Sequence, residues 1–499
     1  MLDTYKSIIK IRRQVFTEVA KLAYEGGDYL RVEEIPYKIL KGEAKYRDSI
    51  FLERAIVAER LRLAIGLNPR DPDEQTPVSK GINEAAIADK YYEAPLVNII
   101  KFACHACPTT SYFVTNACEG CLANPCKNVC PKNAIEIING KSVIDQSKCI
   151  KCGKCANVCP YQAIIKRERP CEKSCGMNAI SSDEHGKADI NYDKCVSCGM
   201  CIVNCPFGAI ADKSQIFQVI HAIKKEDVYA IIAPSFVGQF GDKVNLKTIE
   251  DAMQRLGFKG VVEVALGADL CTIEEAHDFI EKVPNKLKFM ATSCCPSWSV
   301  LAKKLFPEFK ENISMALTPM VLTARLHKKQ HPNCKIVFVG PCSAKKLEAS
   351  RKSVRSDVDF VLTFEELMGM FEAKEVDFNT LKEKEVDNDA TASGRGFAVS
   401  GGVAEAVKKA INELDPTIDV KIEKAQGLSE CRKMLQLAKT GKYDGYLLEG
   451  MGCPFGCVSG AGTIEQPRKS INNIKKCQTE SPLKNSLESK YKDILHELD

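Results

Sequence analysis

Cysteines dominate the candidate chemistry of this chain, which has 499 residues and 25 cysteines. Sixteen fall between Cys104 and Cys205, and two groups share the spacing Cys-x2-Cys-x2-Cys-x3-Cys-Pro, starting at Cys149 and Cys195. In this spacing three close thiolates hold one [4Fe–4S] cluster, while the fourth, before proline, reaches the neighbouring cluster. A zinc site would instead combine two Cys-x2-Cys pairs across a longer loop. The pattern therefore predicts iron–sulfur clusters in series, an electron wire.

The same crossing rule assigns most other cysteines of this region. Cys118, Cys121 and Cys126 form a slightly stretched triplet that Cys130 closes. Three ligand sets follow. The first cysteine group is Cys118, Cys121, Cys126 and Cys159; the second is Cys149, Cys152, Cys155 and Cys130; the third is Cys195, Cys198, Cys201 and Cys175.

Four cysteines are left over, and they define the predicted fourth cysteine group, which is Cys104, Cys107, Cys171 and Cys205. The crossing rule puts Cys171 and Cys205 on one cluster that lacks two ligands, and the pair Cys104-x2-Cys107 is unassigned upstream. The alternative is that Cys104 and Cys107 are free thiols or bind another metal. His105 does not match the spacing of a cluster with one histidine and three cysteine ligands, so we expect it on the surface or beside the ligands.

Composition limits the class of protein. The length predicts two to four domains, and the net charge of +5, from 70 basic and 65 acidic residues, does not call for nucleic acid or an anionic membrane as partner. We find no apolar run of about 18 residues that would predict a membrane span. No apolar stretch follows Arg12-Arg13 to form an export signal. We therefore expect a cytoplasmic protein whose reduced thiols bind metal rather than form disulfides.

Three segments of the second half carry five further cysteines. They are Ala291-Thr292-Ser293-Cys294-Cys295-Pro296-Ser297-Trp298, Gly340-Pro341-Cys342-Ser343-Ala344-Lys345-Lys346, and Glu449-Gly450-Met451-Gly452-Cys453-Pro454-Phe455-Gly456-Cys457. The thiols of Cys295, Cys342, Cys453 and Cys457 suffice to hold a [4Fe–4S] cubane, which leaves Cys294 unused. In type and order the segments resemble the motifs TSCCPxW, PCxxKK and ExMxCxxGC of [FeFe]-hydrogenases. The resemblance spans roughly residues 100–465.

The predicted elements can bring these segments together. Residues 216–465 alternate helices, such as Ile273–Val283, with short apolar runs typical of strands. Candidate strands are Val228–Ala233, Lys288–Met290, Ile336–Val339 and Tyr446–Leu448. Three of them end directly before the three segments. Because ligand sites of parallel α/β sheets lie beyond the carboxyl ends of the strands, we expect the segments to converge on one cleft.

The resemblance implies a specific cofactor. In the family the cubane is half of the H-cluster, and the cysteine that matches Cys457 bridges it to a two-iron subcluster with CO, cyanide and a bridging azadithiolate, which maturation enzymes install. Lys345 matches a lysine that meets a cyanide ligand; the alternative is an exposed charge beside Lys346. The residues that match the family's ligand-shielding pocket are Pro234, Ser235, Pro319, Phe397 and Met451. Trp298, the only tryptophan, is expected as a core aromatic beside the cluster.

The resemblance also implies a proton relay, on Cys294, Glu275, Asp278 and Ser314. Aspartate at position 278 replaces the usual glutamate. Glu275 and Asp278 are three residues apart on a predicted helix and so share a face. A thiol such as that of Cys294 can carry a proton if its surroundings tune its pKa. The alternative for the two carboxylates is a solvated acidic helix face.

We predict four regions with distinct folds. Residues 1–95 form an N-terminal helical region that caps the iron–sulfur domains or the catalytic core. Residues 96–215 form bacterial-ferredoxin-like α+β domains with [4Fe–4S] clusters. Residues 216–465 form the α/β catalytic domain, with two lobes of small, largely parallel sheets around the H-cluster. Residues 466–499 form a polar tail.

The function that the resemblance implies is reversible conversion of H2 to protons and electrons, 2H⁺ + 2e⁻ ⇌ H2. Three or four accessory [4Fe–4S] clusters would lead to ferredoxin or flavodoxin, as in the monomeric, ferredoxin-linked type. Gly340 in place of the usual methionine, and Ser459-Gly460-Ala461-Gly462-Thr463 in place of a Gly-Gly-Gly-Gln ending, are typical of a divergent subgroup. One rival is a sensor of H2 or redox state, which usually carries a signalling domain for which this chain has no room. The other is a non-catalytic iron–sulfur assembly protein, which is not expected to retain Cys294 and Lys345 together.

Overall fold

The computed structural model describes residues 6–71, 73–87, 94–354, 357–385 and 389–498.

Four α-helices lie among the described residues before position 95. The first helices are Lys6–Glu25, Ile35–Ile39, Ile50–Ile65 and Ile82–Ala85. Ile50–Ile65 begins where Phe51 N donates to Ser49 Oγ, and it ends at Gly66, whose φ of 92° is readily adopted by glycine. The N-terminal region is helical, as predicted.

The N-terminal helices contact both neighbouring parts of the protein. Lys6–Glu25 packs on Phe364–Ala373 and Ile216–Ile223, which belong to the catalytic region. Ile50–Ile65 packs on Ile216–Ile223 and also on the strand Ile210–Asp212 at the end of the iron–sulfur region. The helical cap therefore touches the ferredoxin-like units and the catalytic core at once.

Residues 97–212 form small α+β units. The antiparallel strand pairs are Val97–Ile99 with Ile210–Asp212, Ser111–Val114 with Ile164–Arg167, Ile135–Ile138 with Lys141–Ile144, and Ile180–Ser182 with Ala188–Ile190. The short helices are Pro125–Asn128, Lys154–Asn157, Pro170–Lys173 and Met200–Asn204. The first and last of these strands pair with each other, so the chain enters and leaves this region at the same place. The ferredoxin-like fold is the one predicted.

The same hydrogen bond from a backbone amide to a cysteine sulfur occurs four times in these units. The crossing cysteine of each motif accepts a hydrogen bond at Sγ, at 3.3 Å, from the amide of the alanine four residues later. The pairs are Cys130 with Ala134, Cys159 with Ala163, Cys175 with Ala179, and Cys205 with Ala209. The residue before each alanine has a positive φ; these residues are Asn133, Gln162, Asn178 and Gly208. Hydrogen bonds to sulfur are one of the means by which proteins set cluster potentials.

Two small parallel sheets build the catalytic region. One has four strands, in the spatial order Val261–Glu263, Val228–Ile232, Lys335–Gly340 and Phe360–Thr363. The other has three, in the order Met290–Ala291, Tyr446–Met451 and Lys421–Gln426. Lys335–Gly340 in the first sheet and Tyr446–Met451 in the second are largely apolar and almost wholly buried. Such strands are typical of parallel sheets covered by helices. The predicted α/β fold with two largely parallel sheets is confirmed.

Helices cover both sheets. They are Ile216–Ile223, Ile249–Leu256, Ala265–Lys282, Pro296–Leu305, Pro319–Gln330, Ser343–Ala349, Phe364–Ala373, Ala392–Gly396, Gly402–Leu414, Leu428–Ala438 and Pro467–Glu480. Trp298 is fully buried, and its Nε1 donates to Thr292 O at 2.9 Å. A Cβ at Gly450 would lie 2.1 Å from the indole ring, so the strand Tyr446–Met451 needs glycine at this position.

No helix in the described parts of the chain is both long and apolar enough to cross a membrane.

The segment after residue 465 differs from the polar tail that its composition predicts. Its helix Pro467–Glu480 buries Ile474 and Cys477, which lie three residues apart on one face. Further on, Ser486 Oγ donates to the buried carboxylate of Asp269 at 2.7 Å. Composition was misleading here because the segment packs through one narrow apolar stripe and through small polar side chains with specific partners.

A buried ionic network joins the iron–sulfur region to the catalytic region. Lys346 is fully buried, and its Nζ donates to Asp212 Oδ2 at 3.0 Å, to Glu366 Oε1 at 2.6 Å and to Lys213 O at 2.8 Å. Ser343 Oγ donates to the same Asp212 oxygen at 2.9 Å. Burial alone would lower the pKa of Lys346, but the two carboxylates raise it, so the ammonium group stays charged. Ser343 and Lys346 follow Cys342, so the network holds that segment against the last strand of the iron–sulfur region.

Lys346→Met is expected to lower the free energy of unfolding by about 3–5 kcal/mol, because it leaves two buried carboxylates without their cation. The measurement is denaturant-induced unfolding of the purified chain. The matched control is Lys469→Met, which removes a solvent-exposed ion pair with Glu465 and should lower the free energy of unfolding far less, because exposed ion pairs contribute little. Equal effects of the two substitutions would contradict a structural role for the network.

Candidate functional site

Loops from both parallel sheets line one cavity, here called the central cavity. Its wall contains Cys294, Cys295, Cys342, Cys453 and Cys457. The space open to the centres of water molecules is about 90 Å³. The wall is otherwise largely apolar and also includes the five predicted pocket residues, Pro234, Ser235, Pro319, Phe397 and Met451. The tertiary structure therefore brings the three sequence segments to one place.

Helix starts position the two isolated cysteines. Cys295 directly precedes the helix Pro296–Leu305, and Cys342 directly precedes the helix Ser343–Ala349. The amide groups and the dipole at a helix N-terminus stabilise a thiolate. In addition, Gly452 N donates to Cys295 Sγ at 3.3 Å, which joins the first and third segments at a sulfur atom.

Burial makes these thiols weak acids. Burial, together with the nearby thiol of Cys295, raises the pKa of Cys342 to about 11. It also raises the pKa of Cys453 well above its usual value, with further rises from Cys342, Cys295 and Cys457. The thiols are therefore close enough for a charge on one to oppose a charge on the next. A cationic metal centre removes this opposition, because it binds thiolates and releases their protons.

Among the described residues, no three or more His, Cys, Asp or Glu side chains lie close enough to hold a single metal ion.

The thiols of the second and third cysteine groups interact within each group. Burial raises the pKa of Cys155, and Cys149 and Cys130 are among the nearby groups that raise it further. Burial also raises the pKa of Cys201 well above its usual value, with further rises from the other three members of the third group. These couplings join the crossing cysteines, Cys130 and Cys175, to the predicted triplets.

The fourth cysteine group is also brought together. Burial raises the pKa of Cys171 to about 12, and both Cys205 and Cys104 raise it further. Burial likewise raises the pKa of Cys107, again with contributions from Cys205 and Cys104. Ala188 N donates to Cys104 Sγ at 3.3 Å, so this upstream sulfur has the same kind of amide contact as the crossing cysteines. His105 is exposed and stacks on Phe207.

The first cysteine group is linked through Ser142. Cys126 Sγ lies 3.2 Å from Ser142 Oγ. Hydrogen bonds from the backbone of Ser142 and Gly120 lower the pKa of Cys118. Cys159 packs in the same small apolar cluster as Cys126, while Cys121 is half-buried.

Two of the groups form a series that ends at the central cavity. Burial raises the pKa of Cys198, in the third group, to about 12, and Cys342 of the central cavity is among the thiols that raise it further. Cys171 of the fourth group contributes in the same way to Cys201 of the third. The third group therefore has the central cavity as one neighbour and the fourth group as another.

Glu275 is a buried acid beside Cys294. Its Oε1 accepts from Ser293 N at 3.2 Å, while its Oε2 is buried without a hydrogen-bond partner. Burial raises the pKa of Glu275 to about 8, against hydrogen bonds from Ser293 and Ser314 that lower it. Burial also raises the pKa of Cys294 well above its usual value, and the Glu275 charge adds to that rise. Both groups therefore hold their protons at neutral pH.

Asp278 lies one turn further along the helix Ala265–Lys282. Its carboxylate forms an ion pair with Lys282 at 2.7 Å, and about a quarter of its side chain is exposed. Its charge contributes to the raised pKa of Glu275. The four predicted relay residues thus run from the central cavity, through a fully buried carboxyl group, to a carboxylate in contact with solvent.

Lys345 is buried in the wall of the central cavity rather than exposed beside Lys346. Its Nζ lies 2.7 Å from Glu348 Oε2, but neither atom has a hydrogen bond of good geometry. Burial alone would lower the pKa of Lys345, and the Glu348 carboxylate, followed by Cys342 and Cys294, raises it. A charged ammonium group therefore faces the cysteines.

Three family models match successive parts of the chain. Residues 226–461 match the iron-only hydrogenase large subunit, C-terminal domain. Residues 141–164 match a 4Fe-4S binding domain, and residues 165–216 match the LdpA Fe-S cluster-binding domain. The periplasmic [Fe] hydrogenase large subunit of Nitratidesulfovibrio vulgaris is 31% identical over 377 residues, which cover 65% of this chain and 86% of that protein.

The chain belongs to the iron-only hydrogenase family. Iron hydrogenase 1 of Clostridium pasteurianum is 28% identical over 408 residues, which are 71% of this chain and 70% of that protein. A probable cytosolic Fe-S cluster assembly factor of Drosophila grimshawi is 27% identical over 263 residues, which are 42% of this chain and 55% of that protein. The names of these relatives therefore indicate two different functions, hydrogenase and iron–sulfur cluster assembly.

The polar groups of the central cavity fit the cofactor of an iron-only hydrogenase. Ser235 is fully buried, and its Oγ has no hydrogen-bond partner among the described residues, so it is a donor without an acceptor in a largely apolar space. Lys345 Nζ, which pairs with Glu348, is a second donor in the wall of the cavity. A buried donor without an acceptor is costly. Anionic diatomic ligands on iron would be acceptors for both donors, and the four thiols would hold the cubane.

Phe338 is a residue of the site that sequence reasoning missed. Its ring lines the central cavity, and a Cβ at Gly340 would lie 2.5 Å from the ring. Phe338 therefore fills the space that a side chain at position 340 would occupy. The signal was present in the sequence, because residues two apart on a strand face the same side of the sheet.

Glu449 is a further residue whose role sequence reasoning missed, although it begins the third cysteine segment. Its buried carboxylate accepts from Gly401 N at 2.6 Å and from Ala404 N at 2.8 Å. These amides lie at the start of the helix Gly402–Leu414, where the helix dipole favours a negative charge. Glu449 thus ties the strand that leads to Cys453 to the helix packed on it.

The stability of the purified chain should fall as pH rises from about 4.5 to about 8, because folding raises the pKa of Glu275 to about 8. The folded protein holds a proton in this range that the unfolded chain has released, so the contribution is complete below pH 4.5 and is lost as pH rises through the folded pKa. Its size is on the order of 3–5 kcal/mol.

The measurement is denaturant unfolding at pH 5 and pH 8. Glu275→Gln should flatten the difference between the two pH values. Glu281→Gln is the control, because Glu281 is exposed on the same helix and its pKa is lowered by Lys286. A pH dependence that survives in Glu275→Gln would exclude this group as its source.

Proposed function

We propose that the chain is an [FeFe]-hydrogenase that interconverts H2 with protons and electrons, 2H⁺ + 2e⁻ ⇌ H2. The observation that carries this proposal is the position of Cys294. Its thiol lines the central cavity beside four other thiols that suffice for a cubane, and it is coupled to the fully buried Glu275. A purely structural cluster has no use for a protonated thiol at this place.

Cys295, Cys342, Cys453 and Cys457 would hold the cubane of the H-cluster, and Cys457 would bridge it to the two-iron subcluster. When bound, the H-cluster supplies the two-electron redox chemistry. Lys345 and Ser235 would donate hydrogen bonds to its cyanide ligands. Pro234, Pro319, Phe397 and Met451 would keep water out, which strengthens these polar contacts.

Protons would move through the side chains that line the path outward. Cys294 would exchange a proton with the site and with Glu275, and Ser314 would connect Glu275 to Asp278 near the surface. A carboxyl group with a pKa near the working pH exchanges protons most effectively. The raised pKa of about 8 at Glu275 supports this role.

Electrons would move through the cysteine groups, one [4Fe–4S] cluster on each. The coupling of the third group to the central cavity supports a path that ends at the cubane. The partner would be a one-electron carrier, a ferredoxin or flavodoxin, in the cytoplasm. Dedicated maturation enzymes would install the two-iron subcluster.

A non-catalytic iron–sulfur protein is the second candidate, because the chain also matches a probable cytosolic Fe-S cluster assembly factor. That function would require the cubane ligands alone. It gives no role to the arrangement of Cys294, Glu275 and Lys345 around the cavity, and therefore it is less well supported.

Infrared spectroscopy distinguishes the two candidates. After maturation, the chain should show absorption bands of metal-bound CO and cyanide, and it should evolve H2 with a chemical reductant. Ordinary [4Fe–4S] spectra without such bands would favour the non-catalytic candidate.

Cys294→Ala should retain the CO and cyanide bands but reduce turnover by about 10²–10⁴-fold, the usual contribution of a positioned proton-transfer group. Cys334→Ala is the control, because Cys334 is also buried but precedes the strand Lys335–Gly340 at the end away from the cavity. Undiminished turnover in Cys294→Ala would remove this thiol from the mechanism.

The double variant Cys104→Ser/Cys107→Ser should lose four irons per chain relative to the unmodified protein, since the fourth cluster would lack two ligands. Iron and labile sulfide determination after reconstitution measures this loss. An unchanged iron content would refute the fourth cluster.

A further inference from the structure

Three arginines surround the fourth cysteine group. Arg169, which is 1% exposed, donates from Nη2 to Cys107 O at 2.7 Å. Arg60, also buried, donates to Gly208 O, three residues after Cys205. Arg47 donates to Ala103 O at 3.2 Å and to Phe207 O at 2.9 Å. These carbonyl groups flank three of the four cysteines.

The hydrogen-bond partners of these arginines carry no charge. The guanidinium groups of Arg47, Arg60 and Arg169 donate to backbone carbonyl oxygens, which are neutral. The Cys205 thiol raises the pKa of Arg60 and so does Glu365, which also forms an ion pair with Arg12. Burial lowers the pKa of Arg60 to about 10, so this side chain remains charged at neutral pH.

Two acidic groups near the fourth group are paired with a lysine. Lys101 Nζ lies 2.9 Å from Asp183 and 3.3 Å from Asp189, on the strand pair that carries Ala188. These carboxylates are screened by water and by their lysine. The buried guanidinium groups of Arg60 and Arg169 and the half-buried one of Arg47 contact the backbone beside the cysteines directly.

The N-terminal helical region supplies two of the three arginines and is built to hold them. Glu53 Oε1 accepts from the successive amides of Lys45, Tyr46 and Arg47. This buried carboxylate fixes the backbone from which Arg47 reaches the iron–sulfur region. Arg60 lies about two turns after Glu53 in the helix Ile50–Ile65.

The repeated turn of the ferredoxin-like units is altered where Arg60 docks. The residue with positive φ is Asn133, Gln162 and Asn178 in three turns, but it is Gly208 in the fourth. A Cβ at Gly208 would lie 2.7 Å from Arg60 Nη2 and 2.8 Å from Ile8 Cγ2. Glycine at this position admits the arginine and the first helix to the turn that follows Cys205.

We infer that the N-terminal helical region tunes the fourth cluster, with Arg47 and Arg60 raising its reduction potential above that of a cluster without such neighbours. The inference rests on the proposed cluster at the fourth cysteine group. Reduction adds one negative charge to a cubane, and nearby cations that are shielded from water favour that charge. The electron comes from the third cluster or from the external carrier, which is oxidised in the same step.

This tuning assigns a task to the fourth cluster. Hydrogen chemistry uses two electrons, whereas each cluster and carrier transfers one. A cluster with a raised potential beside the third group retains an electron until a second arrives. Arg47 and Arg60 would therefore make the fourth cluster the electron store of the chain.

The test is a redox titration followed by electron paramagnetic resonance, on the full chain with reconstituted [4Fe–4S] clusters and without the two-iron subcluster. The signal of the fourth cluster is the one absent from Cys104→Ser/Cys107→Ser. In Arg60→Gln and Arg47→Gln this signal should appear at a more negative potential. The expected loss is about tenfold in the ratio of reduced to oxidised cluster at fixed potential, or about 59 mV for one electron.

Two further variants separate charge from structure. Arg60→Lys keeps the charge and should retain most of the potential. Arg62→Gln is the matched control, because Arg62 is buried on the same helix and bonds to the carbonyls of Asn68, Val78 and Lys80, away from the cysteines. It should leave the potential unchanged.

The outcomes are distinct. Loss of iron in the double serine variant with unchanged potentials in Arg60→Gln and Arg47→Gln would overturn the inference and leave the fourth cluster standing. An equal shift in Arg60→Lys and Arg60→Gln would assign the effect to hydrogen bonding and overturn the role of charge. No iron loss in the double variant would remove both the cluster and its tuning.

Discussion

A thiolate removed from water requires a compensating positive charge, and this requirement governs the catalytic half of the molecule. The four candidate cubane ligands are half-buried in the wall of the central cavity, and this removal from solvent raises the pKa of each thiol. The fold offers partial compensation through helix N-termini at Cys295 and Cys342. Lys345 is the one charged side chain among the described residues that line the cavity. The remaining compensation must come from the metal, so the fold favours metal binding at this place.

Removal from water also distinguishes two carboxyl groups on the helix Ala265–Lys282, because they lie at different depths. Glu275 is fully buried and holds its proton, whereas Asp278, one turn away, is an ion-paired carboxylate at the surface. The difference comes from depth, since both side chains share a helix face. In the proposed function, this gradation in burial would let a proton pass between the central cavity and the surface.

Electron transfer depends on how the regions are held together. The buried ammonium group of Lys346 joins the last strand of the iron–sulfur region to the helix that follows Cys342. The N-terminal helices press on both regions and direct Arg47 and Arg60 at the fourth cysteine group. The buried charges around Lys346 thus hold the iron–sulfur region against the catalytic region, whereas Arg47 and Arg60 would act on the potential of the proposed fourth cluster.

Local sequence predicted the cysteine groups, because cysteines two or three residues apart are held together by the backbone itself. It also determined the parallel sheets, since apolar runs such as that ending at Val339 are stable only when covered on both faces. Only the tertiary structure decided what surrounds these ligands. Phe338 fills the space beside Gly340, the segment after residue 465 packs on Asp269, and Arg60 reaches Gly208 across 148 positions. Such contacts depend on packing between distant elements, which spacing along the chain does not encode.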